Sequence, residues 1–205
     1  MFKRSTFVIG FLLTLSSCTR GRLSDEDLKW IPYKGDESLY FKSSKGDYDS
    51  IKLFPPDRYY AKPENNALIN LDTYDIYEIG FSYSCLLQFD TFFSQSCSVN
   101  NFVSLQAEAE QHNEVWIEFN IMAKDAELQP ESAIRLNEFK NLPTMQLKTL
   151  FGTFSDVVTI VPEKMDAYDS NKNNYITKVY WSKSRGLVRY DKKDCFWELE
   201  KIGAK

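Results

Sequence analysis

The sequence predicts a mainly β chain: an antiparallel sandwich, barrel or strongly bent sheet with at most one or two short helices. Three observations carry this reading. Apolar residues recur at every second position in several stretches, the period of a strand with one buried face. Aromatic side chains make up 15% of the 205 residues (15 Phe, 12 Tyr, 4 Trp), and such residues pack well on a pleated surface. Short polar segments separate the stretches at hairpin spacing. About eight or more strands joined in this way imply one curled or folded sheet.

The first element along the chain is a leader. Met1-Phe2-Lys3-Arg4 is cationic and Phe7 to Leu15 is a nine-residue apolar run. A membrane-spanning helix needs about 20 apolar residues, so the pattern is that of an export signal. Leu15-Ser16-Ser17-Cys18 closes it and resembles a bacterial lipobox. In chains with that pattern the Cys thiol receives a diacylglycerol, a type II signal peptidase cuts before it, and the new amino group is acylated. The alkylation needs a soft thiolate, and small residues before it let the chain enter the protease. The expected organisation is therefore a signal peptide over 1–17, a lipid-anchored tether over 18–37, and a single β-rich domain over 38–205. Several acyl chains, at about 0.8 kcal/mol per buried CH₂, make such anchoring effectively permanent.

Removing 1–17 takes away Lys3 and Arg4 and leaves 188 residues, with 23 basic against 29 acidic side chains and a net charge of −6. By resemblance to lipoprotein sorting in enteric bacteria, Thr19 after the lipidated Cys favours the outer membrane. Ser24-Asp25-Glu26-Asp27 is loosely similar to the acidic export tags of surface lipoproteins, although it lies further from the Cys. Periplasmic and surface exposure both stay open.

The sheet begins with a hairpin from Leu39-Tyr40-Phe41 through Ser44-Lys45-Gly46-Asp47 to Ile51-Lys52-Leu53, expected to stop at Pro55-Pro56. Residues 55–70 read as loop. Tyr77, Ile79, Phe81, Tyr83, Cys85, Leu87 and Phe89 then alternate on one face. A second hairpin pairs Val103, Leu105, Ala107 and Ala109 with Val115, Ile117, Phe119 and Ile121 across the polar Gln111-His112-Asn113-Glu114. A short helix is expected around Glu131 to Lys140. Val157 to Val161 is a strand ended by Pro162, and Tyr175–Trp181, Leu187–Tyr190 and Phe196–Leu199 form a closing meander.

Tyr33-Lys34-Gly35-Asp36, Leu39-Tyr40-Phe41, Phe151-Gly152-Thr153-Phe154-Ser155-Asp156-Val157, Val179-Tyr180-Trp181 and Trp197-Glu198-Leu199 together resemble blocks of small, uncharacterised envelope lipoproteins of the Bacteroidetes type. The blocks cover about a third of the chain. The resemblance implies a β-rich lipoprotein and lends no activity, so no functional residue is carried over.

Three thiols remain once Cys18 is lipidated: Cys85, Cys97 and Cys195. An exported chain can form disulfides, and an odd count leaves one thiol over. Cys85 with Cys97 is the first pairing to consider and Cys85 with Cys195 the second. Alternatively, Cys85 is a small buried hydrophobe in its apolar row.

Catalytic signatures are sparse. The chain has one His and no phosphate-binding loop, dinucleotide fingerprint or nucleophile elbow. His112 falls in a polar turn. Asp169 to Asn174 matches the first half of a calcium loop but lacks its Gly, and Tyr180 stands where the bidentate Glu belongs. No metal or cofactor is expected, and the acidic balance argues against nucleic acid. Paired carboxylates could serve a glycosidase only across a cleft at about 5 to 9 Å, while Trp116, Trp181 and Trp197 are candidates for stacking on sugars. The expectation is an envelope lipoprotein held to the membrane by its N-terminal lipid, acting as a non-enzymatic binding or structural module for a glycan, lipid or protein. The alternative is an envelope hydrolase that acts on glycans through Asp and Glu carboxylates.

Overall fold

The computed structural model describes residues 21–61, 74–85, 95–107, 114–123, 126–128, 132–162 and 175–203, without the side chains of 83–85, 95–101 and 132. In chain order, α1 (Asp25–Leu28) precedes β1 (Ser38–Ser43), β2 (Tyr48–Ala61), β3 (Tyr74–Cys85), β4 (Gln95–Ala107) and β5 (Val115–Phe119). Next come a small pair, β6 (Met122–Ala123) with β7 (Ala126–Glu127), then β8 (Ser132–Arg135) and α2 (Leu136–Asn141). The chain ends in β9 (Met145–Lys148), β10 (Thr153–Ile160), β11 (Ile176–Ser182), β12 (Gly186–Lys192) and β13 (Phe196–Gly203).

Eleven of these strands form one antiparallel sheet in the order β8-β5-β4-β3-β2-β1-β13-β12-β11-β10-β9, curled into a half-barrel. The expected bent antiparallel sheet with two short helices is what the chain adopts. Strand β1 pairs with β2 on one side and with β13 on the other, so Ser38 lies opposite both Lys52 and Gly203. Sequence neighbours fill each arm, and α2 follows β8 before the chain reaches β9 at the other edge.

Alternation is the local cause. Leu39 and Phe41 in β1, Ile51 and Leu53 in β2, and Ile79 and Phe81 in β3 all turn inward and are fully or almost fully buried. The expected second hairpin pairs from Val103 opposite Phe119 to Ala107 opposite Val115, while Ala109 and most of its turn lie outside the described residues and Ile121 follows the end of β5. Trp181 sits at the centre of the concave side, 4.8 Å from the Phe119 ring in an edge contact and 6.4 Å from Phe102. Aromatic contacts of this kind add about 0.5–1.5 kcal/mol each beyond the area they bury.

Two expectations need correction. First, Pro55-Pro56 does not stop β2, which continues to Ala61. The register with β3 shifts between Leu53 and Pro56, and pairing with β1 ends at Lys52, so the prolines fall at a bulge on a strand paired on one side. Second, the helix expected over 131–140 is half strand: 132–135 forms β8, and only Leu136–Asn141 is helical. Phe102, outside the expected alternating row of β4, is also fully buried. There Ile79 faces Val103 while Phe81 faces Val99, and the bulge turns two consecutive side chains inward.

The segment ahead of β1 contributes to the core from Leu23 onward. Leu23, Ile31 and Tyr33 are almost completely buried. The Tyr33 hydroxyl accepts the Leu187 N–H at 2.7 Å, and its ring meets Trp181 edge-on at 5.7 Å. Gly186 makes room for it: at φ +83° it carries no Cβ to overlap the Tyr33 ring.

Candidate binding cleft beside the open edge

Two recesses flank α1. Ser24 caps this short helix by accepting the Asp27 N–H, and the Asp27 carboxylate accepts the Ser24 N–H in return. This reciprocal cap places Asp27 at the rim of a cleft of about 360 Å³ lined by Asp27, Glu114, Val115, Arg135, Leu136, Asn137 and Lys140. The residues come from four places: α1, the start of β5, the end of β8, and α2. Volumes of this size accept small ligands.

Charges in the cleft are paired in advance. Lys140 Nζ lies 3.3 Å from Asp27 Oδ1, and Arg135 Nε lies 3.1 Å from Glu114 Oε2. Arg135 also stacks over the Trp116 ring at 5.3 Å. Lys140 and Lys183 both stand over Trp30, whose edge meets Phe139 at 5.9 Å. Burial alone would raise the Asp27 carboxyl, but hydrogen bonds from Ser24 and Lys140 outweigh it and hold the group below its ordinary value. Asp27 therefore stays ionised and is unsuited to deliver a proton near neutral pH.

The second recess, about 340 Å³, is lined by Arg22, Leu23, Ser24, Asp25 and Arg58. Behind it the Asp75 side chain is fully buried and binds Arg58 through two nitrogens, at 2.6 and 3.0 Å. The same carboxylate accepts the Leu23 N–H at 2.9 Å, and Arg58 donates to the Leu23 carbonyl at 3.0 Å. Burial would raise Asp75, yet these bonds hold it below the ordinary carboxylate value.

A third group lies on the outer face, where cross-strand register aligns Asp57, Glu78, Ser104 and Glu118 in one row. The adjacent row runs Tyr59, Ile76, Gln106, Trp116, Arg135. Burial pushes the Glu78 carboxyl up. The like charges of Asp57 and Glu118 add to that, and the hydrogen bond from the Tyr59 hydroxyl only partly offsets it.

The sequence-selected residues fall as follows. Leu15, Ser16, Ser17 and Cys18 lie outside the described residues, as do His112 and the calcium-like 169–174. Cys97 stands opposite Tyr83 and Cys85 opposite Gln95 in the ladder, but the side chains of the possible disulfide lie outside the description. Cys195 is a free, half-buried thiol. Of the three candidate tryptophans, Trp181 and Trp197 are core residues; only Trp116 reaches the outer face. Among the described residues no group of three or more His, Cys, Asp or Glu could hold a metal ion. No helix among them is long and apolar enough to cross a membrane.

Sequence reasoning missed Asp27, Glu114, Arg135 and Lys140 as a group, and the Arg58–Asp75 clamp. The spacing of Ser24 and Asp27 did carry a signal, that of a reciprocal helix cap. No protein-family model, curated protein or solved structure matches the chain.

Proposed function

We propose that the chain is a membrane-anchored envelope lipoprotein, acylated at Cys18 and held at the outer membrane, whose half-barrel is a non-enzymatic binding or structural module. The observation that supports this most directly is the state of the cleft: each carboxylate already faces a cation, and Asp27 is held ionised. Such a site recognises a glycan, lipid headgroup or protein by exchanging ion pairs and hydrogen bonds. Acid–base catalysis instead calls for a carboxyl poised near the working pH.

Glycan hydrolysis is the second reading, and it has one observation of its own. Glu78 is raised beside Glu118 and Asp57, the kind of asymmetry a proton donor needs.

The test has two parts. Labelled palmitate should enter the wild-type chain and not Cys18→Ser; label in the variant overturns the anchor. The purified lipidated protein, incubated with envelope glycan, should release no new reducing ends. Release that disappears in Glu78→Gln would establish the hydrolase instead.

A further inference from the structure

The clamp on Leu23 has a geometric consequence for the anchor. Leu23 is held through both backbone polar groups, by a carboxylate and a guanidinium that also bind each other. Only four residues, and so five Cα-to-Cα steps, separate it from Cys18. Even fully extended, at about 3.6 Å per step, the five steps span about 18 Å. A diacylglycerol on Cys18 sits at the bilayer interface, so the clamp is confined within that distance of the headgroups.

What the clamp brings there is specific. Its arginine belongs to the far end of β2, and the next two residues, Tyr59 and Tyr60, are 39% and 58% exposed. Successive strand residues point to opposite faces, so the pair flanks the strand tip on both sides. Tyr has an apolar ring and a polar tip, which suits it to the boundary between headgroups and acyl chains. Beside it, the recess lined by Arg22, Leu23, Ser24, Asp25 and Arg58 sets two guanidinium groups against one carboxylate, with Arg58 held by Asp75 and the Leu23 carbonyl and Arg22 at its mouth. Tyr48, at 60% exposure, stands at the opposite end of the same strand, about 40 Å away at about 3.3 Å per residue.

We propose that the half-barrel docks directly on a phospholipid bilayer through the tip of β2, with Tyr59, Tyr60 and the Arg22–Arg58 recess at headgroup level. This rests on acylation of Cys18 and deepens it: the anchor is a rigid mount, and the opposite end of the barrel is presented away from the membrane.

Tyr48 and Tyr60 supply a matched pair for the test. A photoreactive benzophenone residue replaces one or the other in the full chain, processed in cells and reconstituted in vesicles of phosphatidylethanolamine and phosphatidylglycerol. After irradiation, lipid adducts are counted by mass spectrometry. The expected result is at least tenfold more adduct at position 60 than at position 48. Equal yields, or an excess at 48, overturn the docking. The N-terminal peptide is weighed in the same samples. If Cys18 carries no acyl chain, the anchor falls and the docking with it. If Cys18 is acylated and position 60 shows no excess, the docking alone falls.

Discussion

At the scale of single residues, two carboxylates make opposite predictions. Asp75 is held low by Arg58 and Leu23. Its contribution to stability is complete above the ordinary carboxyl value, about 3.9, and is lost as pH falls through the lower native value. Asp75→Asn should cost about 2 to 3 kcal/mol at pH 7, the worth of hydrogen bonds to a charged group. It should also flatten the acid limb of a urea-denaturation series below about pH 4. Glu78 is raised, so its contribution is complete below the ordinary value and is lost as pH rises through the native one. Glu78→Gln should therefore make the chain more stable at pH 7 relative to pH 4, and denaturation midpoints at the two pH values check the sign. Gly35 tests the backbone. It sits at φ +87°, and a Cβ there would overlap the Phe54 carbonyl. Around it, the Glu37 carboxylate accepts three successive N–H groups, from Lys34, Gly35 and Asp36. Gly35→Ala should lower stability by about 1 to 3 kcal/mol or more, measured by thermal unfolding.

At the scale of elements, α2 is the piece that fills the open side. Phe139 is fully buried, 5.7 Å from Phe119 and 5.9 Å from Trp30, so it joins the concave wall to the N-terminal segment. Phe139→Ala should cost about 3 to 5 kcal/mol. Amide exchange should then rise first in β5, β8 and residues 23–33, and a uniform rise would show that α2 is not their common support. The strands were legible in the sequence wherever one face is buried, because burial imposes period two, as in β1, β3 and the β4–β5 hairpin. Legibility failed where that cause is missing. Strand β9 exposes most of both faces, so Met145–Lys148 carries no alternation. The β4 bulge hides Phe102, and a four-residue helix such as α1 is too short to show a period. The cleft was not legible at all. Asp27 and Glu114 lie far along the chain from each other and from Arg135 and Lys140, and charges paired by folding look like any solvated charge in a sequence.

At the scale of the whole molecule, the outer surfaces of the two arms differ. Across β11, β12 and β13, Arg189 stacks 4.0 Å over Phe196 and bonds Asp191 and Glu198, while Tyr180 donates to Asp191, a closed network. The other arm carries the row of Asp57, Glu78, Ser104 and Glu118. The pairing of β1 with β13 has a further effect, on when folding can occur. Ser38 must find Gly203, a closure across most of the chain, and contacts of such long range make folding slow. Each arm is a local meander able to form early, but neither can be joined to the other until the last strand is free. A chain emerging from a ribosome would thus be kept from completing its sheet until synthesis has passed β13, however early either arm has formed.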